Sequence, residues 1–217
     1  MINITNFYFR NKSISFKNKS IITINPFLKI NSVYDIENID LELLKNLSLS
    51  KIFDQKNLIK KINSENKIYY KPKKFYGNFI EDYNLNINLT YGRAIYSFNF
   101  LISESNFSCK GDLNLIAEYP ILLFDCSIST KDKKKLLKAF SINYKIKDEP
   151  LNFVVKGSLN ILNNKVNFNN IMINKNQQAT KQDLEYFKKA FETILFNEDL
   201  LGIFELNKIK KFISEIS

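Results

Sequence analysis

Residues 83–128 read YNLNINLTYGRAIYSFNFLISESNFSCKGDLNLIAEYPILLFDCSI. Apolar and polar residues alternate along this run, the period of strands with one buried face. A tight turn at Gly92-Arg93 sets Leu89 opposite Tyr96, Ile87 opposite Phe98 and Leu85 opposite Phe100. A second at Glu104-Ser105 sets Ile102 opposite Phe107 and Phe100 opposite Cys109. A third at Ala117-Glu118 sets Leu115 opposite Pro120, Leu113 opposite Leu122, Gly111 opposite Phe124, Cys109 opposite Cys126 and Phe107 opposite Ile128. The three turns are chosen separately, yet they leave the same side chains on one face. A slip of one residue in any of them would break that agreement. The other face reads Asn84, Asn86, Asn88, Ser97, Asn99, Ser108, Lys110, Asn114, Asp125 and Ser127. The run is therefore a one-sided antiparallel meander, greasy on one face and wet on the other.

Outward from it, Ile2–Phe9, Ser13–Lys17 and Ser20–Ile30 alternate as strands, with Pro26 marking an edge or a bend. Leu41, Leu44 and Leu47 suggest one or two helical turns, and residues 54–62 a short amphipathic helix. Ile68–Lys71 reads as strand and Lys71–Asp82 as loop. After the meander, Thr130 is placed as the N-cap of a helix with Leu136, Leu137 and Phe140 inward. Phe140, Ile142, Tyr144 and Ile146 return to strand period. A hairpin then pairs Leu151–Ile161 with Lys165–Asn174 through Asn163-Asn164, setting Ile161 opposite Val166 and Leu159 opposite Phe168. A change of phase near Asn169-Asn170 signals a bulge. Thr180 and Asp183 form a capping-box start to a helix whose stripe is Leu184, Phe187, Phe191, Ile194 and Leu195. Asp199 starts a short turn, and Asn207 caps a last helix.

The expected fold is α+β and β-dominated: a curved, mostly antiparallel meander sheet, gutter-like with an apolar inner face, under a C-terminal helical cap. It reads as one domain, residues 1–217, with strands and short helices in 1–82, the main sheet in 83–174 and the cap in 180–217.

Composition narrows the function. The chain is 45% hydrophobic, enough for a real core. Nineteen phenylalanines and no tryptophan, with abundant Asn, Lys and Ile, suit an AT-rich genome. The formal charge of +10 is then read as a solvated surface, since the lysine clusters at 71–74, 131–138 and 208–211 are short and scattered. Nucleic acid is not an expected partner, because the aromatics of the meander sit among aliphatics and apart from the lysines. Histidine is absent, and with it the commonest acid–base group and metal ligand. No Cys-x-x-Cys, phosphate loop or Gly-x-Ser-x-Gly occurs. No enzyme activity, cofactor or metal is expected. No signal peptide pattern opens the chain, and no stretch of about 20 apolar residues could span a bilayer as a helix.

Cys109 and Cys126 fall directly opposite each other in this register, within reach of a disulfide. Two readings stand: a bridge formed in an oxidising compartment, or two small thiols buried in a reduced core.

Three stretches carry a resemblance: Asn84 to Arg93 (NLNINLTYGR), Phe124-Asp125-Cys126, and Lys156 to Lys165 (KGSLNILNNK), followed by a closing amphipathic helix. Over about residues 80–217 the chain resembles the C-terminal region of AsmA-like proteins, the bacterial envelope proteins grouped with TamB and YhdP. The resemblance implies a long sheet folded as a gutter. It implies anchoring in the inner membrane by an upstream helix, and extension into the periplasm. It also implies conduction of phospholipid toward the outer membrane. The anchor is missing and the chain is too short to bridge two membranes, so it reads as a terminal segment or a truncated member.

Two functions follow. The first is a non-enzymatic envelope component of phospholipid transport and outer-membrane biogenesis, binding acyl chains on a groove of Leu85, Ile87, Leu89, Tyr96, Phe98, Phe100, Ile102, Phe107, Leu113, Leu115, Leu122, Phe124 and Ile128. Other envelope proteins are open as partners. Its location would be the periplasmic face of the inner membrane, given an upstream anchor. The second is a structural or protein-interaction module in which the same face is a closed core.

Overall fold

A computed structural model describes residues 1–39, 53–70, 80–142, 149–174, 177–196 and 206–216. Among them, strands dominate. In chain order they are β1 (Ile2–Arg10), β2 (Ile14–Thr23), β3 (Leu28–Ile39), β4 (Ile62–Tyr70), β5 (Asp82–Thr90), β6 (Arg93–Ile102), β7 (Ser105–Asn114), β8 (Ile121–Thr130), β9 (Leu151–Asn160), β10 (Lys165–Ile173) and β11 (Gln177–Gln178). The helices are α1 (Lys56–Ile59), α2 (Lys133–Ala139), α3 (Lys181–Leu195) and α4 (Leu206–Ile216). The strands join in one sheet whose spatial order follows the chain from β1 to β11, so both edges stay open. The sheet is mostly antiparallel. The exception is β3–β4, a parallel pair that sets Tyr34 beside Ile68. A parallel pair needs a crossover, here residues 40–61, which include α1.

The chain divides into two compact units. One comprises Met1–Phe100 and Lys110–Pro120, the other Leu101–Cys109 and Ile121–Ser217.

In the first unit, β2 runs unbroken over Ile14–Thr23, where the sequence reading expected two shorter strands. The break falls after it, around a cis Asn25–Pro26 bond. The helix expected over 54–62 shrinks to Lys56–Ile59, because Ile62 already pairs with Leu28 in the sheet. The β5–β6 turn is Tyr91-Gly92 and not Gly92-Arg93. Both central residues have positive φ, 47° and 84°, as the hairpin turn matching strand twist requires. Gly92 is also close-packed, since a Cβ there would meet Ile116 Cγ2 at 2.5 Å.

In the second unit, the β6–β7 turn is Ser103-Glu104 and not Glu104-Ser105, again with two positive φ values, 47° and 63°. Thr130 ends β8 and does not cap α2. Its hydroxyl is buried, accepting from Ser105 at 2.8 Å and donating to the Asp132 carbonyl. The cap passes to Asp132, whose carboxylate accepts the Lys135 amide at 2.8 Å. In the β9–β10 hairpin, Leu159 and not Ile161 lies opposite Val166, and Gly157 and not Leu159 opposite Phe168. The cause is local: Asn160 Oδ1 accepts the amides of Leu162 and Asn163, widening the connection to four residues. The register shift falls between Phe168 and Asn170. Thr180 and Asp183 form the reciprocal capping box at the start of α3. Asn207 lies inside α4 and does not cap it. The readings at Leu41–Leu47, in most of the 71–82 loop, at Tyr144–Ile146 and at Asp199 lie outside the described residues.

Candidate functional site on the apolar sheet face

The alternation predicted for β5 and β6 holds from Leu85 to Thr90 and from Arg93 to Phe100. Leu85, Ile87 and Leu89 are half-buried while Asn86, Asn88 and Thr90 are exposed. Tyr96, Phe98 and Phe100 are half-buried while Ile95, Ser97 and Asn99 are exposed. Contrary to the expectation that a one-residue slip of a turn would break the agreement, moving a turn by one residue shifts each cross-strand partner by two positions and leaves the face intact.

The candidate residues divide between the two units. Leu85, Ile87, Leu89, Tyr96, Phe98, Phe100, Leu113 and Leu115 belong to the first, and all eight are half-buried. Leu115 has left the strand and lies in the loop after β7, its amide donating to the Gly92 carbonyl at 2.9 Å. Aromatic rings line this face: Phe98 lies 6.2 Å from Tyr83, 6.3 Å from Tyr96 and 6.0 Å from Phe100, between centroids. The surroundings are of low polarity. Burial pushes the Tyr96 phenol up to about 12, with the Asp112 carboxylate adding to the effect. Burial also raises the phenol of Tyr83.

Ile102, Phe107, Leu122, Phe124 and Ile128 belong to the second unit, where Ile102 is buried and the other four are half-buried. Ile102 is 3% exposed. Leu122 and Phe124 pack on a core of Leu159, Val166, Leu195 and Phe196, to which α4 adds Ile209 and Phe212. Edge-on ring contacts run from Phe124 to Phe168 to Phe191 and on to Phe212. Fully buried apolar side chains mark the difference between the units. Among the described residues all of them except Ile59 and Pro120 lie in the second. Of the thirteen residues, eight lie in the first unit and five in the second.

Cys109 and Cys126 form a disulfide, with Cα atoms 4.0 Å apart. The neighbouring Ser108 and Ser127 hydroxyls meet at 2.8 Å in the same register.

One feature of the face has no counterpart in the sequence reading. Ser64 lies opposite Leu89, Asn66 opposite Ile87 and Ile68 opposite Leu85, so β4 continues the apolar face but places polar groups in it. β3 and β2 extend the stripe through Ser32, Ser20 and Asn18. These groups satisfy one another. The Ser20 hydroxyl lies 2.8 Å from both Asn18 Oδ1 and Ser32 Oγ, and Asn66 Nδ2 donates to Ser64 Oγ at 2.9 Å. Ser20 and Ser32 are 7% and 3% exposed, so this is a buried, hydrogen-bonded stripe and not a wet surface. The signal for it was Asn18 and Ser20 at alternate positions of β2, and Ser64 and Asn66 at alternate positions of β4.

Among the described residues, no group of three His, Cys, Asp or Glu side chains gathers as metal ligands, and no helix is long and apolar enough to cross a membrane. Comparison of the chain with protein-family models, with curated proteins and with solved structures finds no match.

Proposed function

We propose that this chain is a non-enzymatic, lipid-handling component of a bacterial cell envelope. It would be a terminal segment of an AsmA-like phospholipid transport protein, holding acyl chains against the apolar face of β5 and β6. The observation that carries the reading is the state of that face. Leu85, Ile87, Leu89, Tyr96, Phe98 and Phe100 are all half-buried, in a unit whose buried apolar side chains among the described residues are Ile59 and Pro120 alone. Acyl chains need no directional chemistry there, because apolar burial is non-directional and contributes about 0.8 kcal/mol per CH₂. The disulfide supports an oxidising compartment, and hence the periplasmic side of the inner membrane.

The test mixes delipidated full chain with a fluorescent phospholipid. Binding should be saturable, and Phe98→Asp should weaken it at least about tenfold, since a carboxylate does not share a site with an alkyl chain. Undiminished binding by a folded Phe98→Asp protein would remove this reading. The second reading, a structural or protein-interaction module with a closed apolar core, draws on the second unit, where α3 and α4 lie over Leu159 and Val166. It requires that the chain take up no phospholipid at all.

A further inference from the structure

The helices of the second unit do not fill the space above its sheet. A partly open cavity of about 280 Å³ remains. Ten of its eleven lining side chains are apolar. Its floor is Ile128, Phe153 and Ile173, one cross-strand row of β8, β9 and β10. Its roof is Leu137 of α2, Phe187 of α3 and Ile213 of α4.

The eleventh side chain is Lys133, half-buried at the start of α2. Among the described residues no carboxylate pairs with its ammonium. Asp132 accepts the Lys135 amide at 2.8 Å, Glu104 pairs with the Lys135 ammonium at 2.6 Å, and Glu149, whose carbonyl accepts the Lys133 amide at 3.0 Å, is exposed.

An apolar cavity of about 150 Å³ stays dry and takes up benzene, so one nearly twice that size has room for roughly ten carbon atoms. Left empty, such a void forfeits the dispersion contacts of its whole lining. An unpaired cation at the wall of an apolar cavity is complementary to an anion carried on an alkyl chain. We propose that the second unit binds a single-chain anionic amphiphile, its alkyl chain in the cavity and its head group on the Lys133 ammonium. A carboxylate and a phosphate monoester both fit that chemistry. The site is separate from the face of β5 and β6 and does not depend on phospholipid binding there.

The experiment titrates the full chain by calorimetry with decanoate, decyl phosphate and decanol, each below its micelle concentration. One chain should bind in this cavity, with the anions at least about tenfold tighter there than decanol, the scale of one charge-assisted hydrogen bond. The tighter anion identifies the head group. Lys133→Ala should remove the preference and leave decanol unchanged. Ile128→Trp should abolish uptake of all three by filling the cavity. Should that variant not fold, shifts of the Ile173 and Ile213 methyl resonances on adding decanoate to the unaltered protein locate the site instead. Phe98→Asp should leave all three affinities intact. No binding to the folded protein, equal affinity for decanol and the anions, or loss of binding in Phe98→Asp would each overturn the proposal.

Discussion

Gly157 of β9 lies directly opposite Phe124 of β8, and the phenylalanine ring fills the space where a side chain would be. A Cβ built on Gly157 would meet Phe124 Cζ at 2.6 Å and would press on the Asn167 carbonyl as well. The missing side chain lets the ring settle over the strand and reach Phe168, 6.1 Å away edge-on. Through Phe168 it connects to Phe191 of α3. Gly157→Ala should therefore cost about 1–3 kcal/mol, the usual scale of overpacking a filled core. Phe124→Leu in the same chain should recover part of that loss and not all, because the backbone carbonyl stays in place. Urea denaturation of the three variants checks both statements.

The Cys109–Cys126 bridge closes a loop with a sequence separation of 17. A cross-link of that span restricts the unfolded chain by about 3 kcal/mol in the loop-entropy picture. Cys109→Ser with Cys126→Ser should lower stability by about that amount. Adding reductant to the unaltered protein should lower the denaturation midpoint to match. A midpoint indifferent to reductant would mean that the bridge does not restrain the unfolded state.

The sheet was legible because side-chain alternation in β5 to β10 is strong, and the capping box at Thr180 and the irregularity at Asn169 left plain local marks. Register was less so. Period-two patterning cannot tell Leu159 from Ile161 as the partner of Val166, since both lie on the same face. The side-chain bonds of Asn160 chose between them. Strand direction carries no signature in alternation either, so the parallel β3–β4 pair went unread. The candidate site was legible as a face but not as a surface. Whether Leu122 is covered depends on where α3 and α4 pack, and an apolar stripe such as Leu184, Phe187 and Phe191 does not name the face it will meet.

Tyr96 supplies a titration. Burial holds its phenol up to about 12, against about 10 in the unfolded chain. The folded state therefore keeps a proton that the unfolded state releases. The stabilisation is complete below about pH 10 and is lost as the pH rises through about 12. Spectrophotometric titration of phenolate absorbance should show one late component that disappears in Tyr96→Phe. That variant should also unfold less steeply with rising pH across the same window. A Tyr96 that titrates with the surface tyrosines would mean that the face is wetter than its packing implies.

Phe98 and Ile102 stand four residues apart on β6, yet their surroundings differ. Phe98 is half-buried among rings, while Ile102 is 3% exposed. Ile102→Asp buries a charge without a partner and should cost about 3–5 kcal/mol or prevent folding. Phe98→Asp can turn its carboxylate toward water and should cost about 1–2 kcal/mol, mostly lost ring contact. Denaturant midpoints of the two variants measure how covered each position is, without any lipid present. A Phe98→Asp loss as large as that of Ile102→Asp would mean that the aromatic face is sealed, and that phospholipid has no access to it.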